Sequence, residues 1–272
     1  MINNFDYISG KEIEWLELNL LLTKRPLSKA EIMTLSDIDD GEMIDSWLSE
    51  IEIRSKLYKE PLYEVKNNRI IPLFSWEDKP EYFLCVYYSY FGASYKSGGT
   101  KLFEKISALA LKSFINGEAY IFGFPASLPF NESLDEIANI CFEERMTQAS
   151  GSYKDDGVDA VIYKLFEDNK SSNLYILLQS AAGNHWNTKK PISLQRWTNY
   201  IAWYASNIIT SIATVDYVSK SKWDKNSSTY GMLIDRLRIY NFLYEYEIDA
   251  ELRTEVVNWC KNILCYNSLK MS

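Results

Sequence analysis

Five consecutive apolar residues, Leu174-Tyr175-Ile176-Leu177-Leu178, stop abruptly at Gln179-Ser180. A run this short and this continuous is what a strand buried on both faces of a sheet requires. Gln179 and Ser180 then sit where that central strand surfaces, and Ala181-Ala182-Gly183 leaves room for a second backbone or a ligand. Upstream, Asp155-Asp156-Gly157 is a tight acidic turn, and Val158-Asp159-Ala160-Val161-Ile162-Tyr163 has the β-branched content of a partner strand. The polar run 167–172 closes the hairpin. Asp159 and Gln179 are thereby expected on neighbouring antiparallel strands, with two oxygen-bearing side chains converging as a hard divalent cation needs.

The flanking chain supplies helices and further strands. Apolar residues recur at helical spacing over 12–23, and Lys24-Arg25-Pro26 stops the run. Ser28 with Glu31 three residues later makes a capping box for a short second helix. Asp39-Asp40-Gly41 opens a third, with Met43, Ile44, Trp47, Leu48 and Ile51 as its apolar stripe. Asn67-Asn68 between two short apolar runs is a hairpin turn, because Asn tolerates positive φ. Three helices and a hairpin predict a winged-helix-like module over residues 1–75. Its third helix carries Asp39, Asp40, Glu42, Asp45, Glu50 and Glu52. Carboxylates repel phosphates, so a structural or protein-binding role is expected of this module rather than DNA reading.

Residues 76–272 are expected to form the second domain. Tyr82 to Tyr90 is an aromatic core segment, and Lys101 begins an amphipathic helix ending at Asn116-Gly117, where the glycine serves as C-cap. A strand over 118–124 and a helix over 133–146 follow, with Glu143, Glu144 and Arg145 as a solvated face. After the central hairpin come a helix over 193–205, a strand over 208–215, and helices to Cys265.

The Gly-x-Asp turn, the hairpin and the apolar strand ending in Gln179 together resemble the PD-(D/E)xK nuclease superfamily, the restriction-endonuclease-like fold. The resemblance implies an α/β (α+β) domain with an αβββαβ core, which the order of elements matches after allowance for one extra helix. It implies a metal-dependent DNA endonuclease, with magnesium or manganese held by Glu104, Asp159 and Gln179. Glu104 enters because Leu102-Phe103-Glu104 is similar to the family's first core helix, where a Glu follows a large apolar residue. The usual Glu-x-Lys or Gln-x-Lys is here Gln179-Ser180-Ala181. The catalytic cation expected at Ala181 therefore falls to Lys189, with Lys190 beside it. Arg236 and Arg238 are candidates for holding a substrate phosphate, since a guanidinium presents paired donors. Restriction or antiphage defence is the implied setting, and the alternative is a catalytically degenerate nuclease-fold subunit that senses or assembles.

The remaining features exclude more than they assign. Cys85, Cys141, Cys260 and Cys265 have no Cys-x-x-Cys spacing, and His185 is the only histidine, so zinc ligation is not expected. Neither a phosphate-binding glycine loop nor a Gly-x-Ser-x-Gly elbow occurs. No apolar run spans a membrane and no signal peptide opens the chain, which predicts a cytoplasmic protein. The net charge of −8 is wrong for gripping DNA alone. A co-encoded protein subunit or self-association is expected to supply part of the hold on DNA, or on RNA as the alternative polyanion.

Overall fold

The computed structural model describes residues 5–93, 98–122, 128–150, 156–205 and 207–270. The chain forms two compact units: residues 1–99 with 248–272, and residues 100–247. The division thus falls at Gly99, not at residue 75, and the last helix joins the first unit. Among the described residues no helix is long and apolar enough to cross a membrane.

The first unit runs α1 (Glu12–Thr23), β1 (Leu27–Ser28), α2 (Lys29–Ser36), α3 (Gly41–Ser55), β2 (Tyr63–Lys66), β3 (Arg69–Pro72) and α4 (Pro80–Phe91), with Ala250–Lys270 as the final helix of the chain. Local chemistry fixes its ends. Ser28 and Glu31 form the reciprocal capping box of α2, and the Asp40 side chain accepts from the Glu42 and Met43 N–H groups to start α3. Asn67 and Asn68 turn the β2–β3 hairpin at φ of 50° and 57°. The strands pair antiparallel in the order β1-β3-β2. A two-residue strand such as β1 has no periodicity to read, which is why the sequence shows only the hairpin. The aromatic segment is the helix α4, buried between α1 and the final helix. That packing carries the unit beyond residue 75.

The second unit runs α5 (Gly99–Ile115), β4 (Glu118–Ile121), α6 (Phe130–Ile140), β5 (Ala160–Lys164), β6 (Leu174–Ala181), α7 (Leu194–Tyr200), β7 (Ile209–Thr214), α8 (Lys220–Tyr230), β8 (Met232–Ile234) and α9 (Arg236–Leu243). Its five-stranded sheet has the order β4-β5-β6-β7-β8. β4, β5 and β6 are antiparallel neighbours, whereas β6, β7 and β8 are parallel. The unit is therefore a mixed α/β layer structure, and the carboxyl ends of β6, β7 and β8 share one edge.

Several expectations shift. α6 starts at Phe130, behind Pro129, and stops at Ile140, because Phe142 turns left-handed at φ 57°. Glu143 is consequently not on a solvated face. It is buried, and it accepts from the Tyr175 hydroxyl at 2.6 Å and from the N–H groups of Ser172 and Tyr204, both at 2.9 Å. The positive φ after α5 belongs to Asn116, at 48°, and not to Gly117. Gly117 is needed for another reason: a Cβ there would collide with the Tyr163 carbonyl across the β4–β5 ladder. β8 escapes the sequence reading because three residues on a sheet edge give no pattern. Residues 123 and 124, expected at the end of β4, and Asp155 lie outside the described residues.

Candidate functional site

Two of the sequence-predicted site residues, Asp159 and Lys189, meet at Ser180, at the carboxyl end of β6. The regular β5–β6 ladder ends at the pair Ala160 and Leu178. One residue beyond, Asp159 bends out of it. Its N–H donates to the Leu178 carbonyl at 2.8 Å, and its carbonyl accepts from Phe122 on the other side. The half-buried Asp159 carboxylate then accepts from the Ser180 N–H at 2.6 Å, taking the place of the missing ladder partner. On the same peptide, the Ser180 carbonyl accepts from Lys189 Nζ at 3.0 Å. Lys189 follows a 3-10 turn at Trp186–Thr188, whose buried Trp186 donates its indole N–H to Asp216 at 2.8 Å. The reach of Lys189 back to the strand end is thus set by a packed loop.

The Ser180 side chain fixes which face of the sheet is which. Its hydroxyl pairs with that of Ser107 on α5 at 2.7 Å, and both residues are buried. Glu104 lies one turn earlier on the same helix and is half-buried. α5 descends toward β4, so Glu104 stands at the Ser180 end of the sheet. Strand residues alternate between faces, so Gln179 and Ala181 point away from α5. Ala181 packs on that far side with Ile212, Leu233 and Tyr230, and Gln179 is in register with Ile212. Gln179 is 7% exposed, its Oε1 has no hydrogen-bond partner among the described residues, and its amide nitrogen lies over Gly157. Beside it, Asp156 is ion-paired with Arg196 at 2.9 Å and accepts from Tyr200 at 3.1 Å.

Asp159 and Lys189 therefore share the Ser180 strand end, with Glu104 one helical turn from Ser107 on α5, while the Gln179 side chain lies on the sheet face away from α5. Alternation along β6 turns the Gln179 amide away from the helix that carries Glu104. Among the described residues no group of three His, Cys, Asp or Glu side chains is placed to hold a metal ion.

The other candidates divide similarly. Lys190 is exposed next to Lys189, and His185 is exposed on the same loop. Arg236 is fully buried and donates to the Val215 carbonyl at 3.2 Å, so it braces β7 rather than meeting a phosphate in solvent. Arg238 is half-buried, donates to the Leu233 carbonyl at 2.8 Å, and lays its guanidinium on the Trp223 ring at 4.4 Å. Asp235, just before them, caps α9 by accepting from the Arg238 N–H, and burial pushes its carboxyl above the ordinary range. The sequence reading passed over Ser107 and the α8 segment Lys220-Ser221-Lys222-Trp223-Asp224-Lys225. The second carried a signal, since basic residues interleaved with an aromatic are a mark of polyanion binding.

Comparison of the chain with protein-family models, curated proteins and solved structures finds no match.

Proposed function

We propose that residues 100–247 are a divergent nuclease-like αβββαβ core that binds nucleic acid but has lost the complete metal site, and that the chain works as a sensing or assembly subunit. The observation that carries this reading is the turn of β6. Ser180, not Gln179, faces α5 and Glu104, and Ala181, where the superfamily's Lys would stand, is buried among Trp186, Ile212 and Leu233. The element order from α5 through β7, with β4, β5 and β6 antiparallel and β7 parallel to β6, is what the resemblance leads one to expect. The Lys189 ammonium has three N–H donors, of which the Ser180 carbonyl takes one. It can therefore hold a phosphate oxygen at the strand end without any metal.

A second reading keeps catalysis. Magnesium binds through one or two carboxylates with waters and substrate oxygens completing its shell, so Glu104 and Asp159 alone form a sufficient protein share. A bound divalent ion would supply polarisation of the phosphate and an activated water. In that reading Lys189 fixes the phosphate, and Gln179 is a structural residue of the opposite face.

The first unit follows the order helix, strand, two helices, hairpin of a winged-helix-like module, and the acidic α3 suits it to a protein partner rather than to DNA. A co-encoded subunit or a second copy of the chain would then complete the grip on nucleic acid, in a setting such as restriction or antiphage defence. The deciding experiment incubates the full chain with single-stranded and duplex DNA and with RNA in magnesium and in manganese, measuring binding in parallel. Binding without cleavage, weakened by Lys189→Gln, is the expected outcome. Cleavage abolished by Asp159→Asn and by Glu104→Gln would establish the second reading instead.

A further inference from the structure

Eight Lys and Arg residues stand against three Asp in the segment 182–238, inside a chain whose net charge is −8. This segment supplies everything that follows the carboxyl ends of β6, β7 and β8 on the shared sheet edge. Arg236 and Arg196 are used internally, by the Val215 carbonyl and by Asp156. The other six, Lys189, Lys190, Lys220, Lys222, Lys225 and Arg238, have no ion-pair partner among the described residues. Elsewhere in the protein the basic residues are commonly paired, as with Lys29 to Asp45 or Lys79 to Glu60. Six cations without an ion-pair partner, on the loop at this edge and along α8 and α9 that leave it, make a local reversal of the overall charge, and such focusing attracts polyanions.

Two of the six meet in a built cavity. A cleft of about 280 Å³ is lined by Tyr217, Val218, Lys220, Trp223, Asp235, Leu237 and Arg238. Trp223 forms one wall, held from behind by the cluster of Ala181, Ile212 and Tyr230 and covered in front by the Arg238 guanidinium. That stack, with the Leu233 carbonyl, fixes the Arg238 plane while leaving its further N–H donors without a hydrogen-bond acceptor among the described residues. The Asp235 carboxylate is at the floor, where the Arg238 and Val218 N–H groups occupy it. α8 opens at this cleft and has no acidic residue in its first turn, so its N-terminal dipole adds to the cationic field. The cleft joins the strand end around Ser180 through one packed layer: Trp186 bonds Asp216, and the Tyr230 hydroxyl donates to the Lys189 carbonyl at 2.9 Å.

We infer that this cleft is a phosphate subsite, in which Lys220 and Arg238 hold a backbone phosphodiester of a nucleic-acid strand that continues from Lys189 across the ends of β7 and β8. The inference rests on the nucleic-acid-binding reading above and extends it to a second contact point. Trp223 carries the Arg238 guanidinium on its ring and packs against the Ile212 cluster, so it serves here as a wall and not as a base-stacking platform. The contact is with the backbone, so it is indifferent to sequence.

The test is fluorescence anisotropy of labelled single-stranded and duplex oligonucleotides in EDTA, where cutting plays no part, titrated across salt with the full-length chain and with Lys220→Gln, Arg238→Gln and the pair. One lost phosphate contact lowers the slope of log K against log salt by about 0.9 for a duplex, which is about a fivefold loss of affinity near 0.15 M salt. The pair should lose about twice that slope. Lys220 is exposed, so its variant keeps the wild-type melting temperature and separates lost binding from lost folding. Unchanged affinity and slope in Lys220→Gln and in the pair, with Lys189→Gln still weakening binding, would overturn the subsite alone. No oligonucleotide binding by the wild type even near 0.05 M salt would overturn the nucleic-acid reading itself. Inorganic phosphate that protects the cleft while oligonucleotides do not bind would assign it to a free phosphate and refute the inference.

Discussion

Replacing Asp159 by Ala distinguishes two origins for this carboxylate by the sign of one measurement. If Asp159 is chiefly a metal ligand, metal-free buffer leaves it repelled by Glu104, and removing it should stabilise the fold. Between two half-buried carboxylates near a solvent-facing strand end, that repulsion is about 1 kcal/mol. If Asp159 chiefly replaces the missing ladder partner of β6, the substitution strips the acceptor from the Ser180 N–H. A hydrogen bond to a charged group is worth about 1.5–3 kcal/mol, so the bond outweighs the repulsion and stability should fall. For a unit spanning residues 100–247, each kcal/mol moves Tm by about 2–4 °C. Net of the relieved repulsion the cost is about 0.5–2 kcal/mol, so the expected loss for Asp159→Ala in EDTA is about 1–8 °C. Asp159→Asn keeps a neutral acceptor and should lose about 1 kcal/mol or less. Thermal melts in EDTA and in magnesium, with hydrogen exchange at the Ser180 amide, measure this. Exchange should accelerate at Ser180 in the Ala variant and less so in Asn. An Ala variant that melts at or above the wild type in EDTA, combined with magnesium stabilisation seen only in the wild type, would refute the ladder-cap argument.

Two further outcomes follow from buried groups in the same unit. Glu143→Ala should destabilise by about 3 kcal/mol or more, since it leaves the Tyr175 hydroxyl and the Ser172 and Tyr204 N–H groups without their acceptor; a chemical-denaturation midpoint within error of wild type would contradict the assignment. Stability should also fall at alkaline pH: burial pushes the Cys141 thiol from 9.0 to about 12 and raises Tyr175 above its ordinary value, so the folded chain keeps protons that the unfolded chain sheds. This contribution is complete below pH 9 and is lost as pH rises toward 12, and Tyr175→Phe should flatten the decline between pH 9 and pH 11 in urea titrations.

What the sequence made legible was local. The Ser28–Glu31 box, the Asp40 cap and the Asn67-Asn68 turn are interactions between residues a few positions apart, and each occurs as read. The five apolar residues before Gln179 mark a central strand because burial on both faces leaves no polar position in the pattern. Tertiary choices were not legible. Alternation alone says that Gln179 and Ser180 face opposite ways, but not which of them faces α5; the Ser107 hydroxyl decides that from 73 positions away. Glu143 reads as surface because three charged residues in a row do, until Tyr175 and two backbone N–H groups from other segments surround it. The unit boundary was missed because the final helix returns to α4 across the whole second unit, and no linker composition announces a return.

The distribution of charge bears on partners more sharply than its total. Residues 100–247 contain 15 Lys and Arg against 17 Asp and Glu, and the rest of the chain 14 against 20, so −6 of the net −8 resides in the first unit. Within the second unit, the segment 182–238 alone is +5. The local excess of positive charge that a polyanion would meet lies along the ends of β6, β7 and β8, where Lys189, Lys220 and Arg238 stand. It would meet an unfavourable field at α3, the helix that a DNA-reading winged-helix module would have to insert. A handful of cations grips a duplex weakly near physiological salt, because each contact loses its entropic advantage as salt rises. The exposed Met43, Ile53 and Leu57 on and just after the acidic α3 suit contact with protein rather than with phosphate. In the proposed function the two units would divide the work by charge: the second would hold a strand lightly, and the first would recruit the partner that makes that hold sufficient.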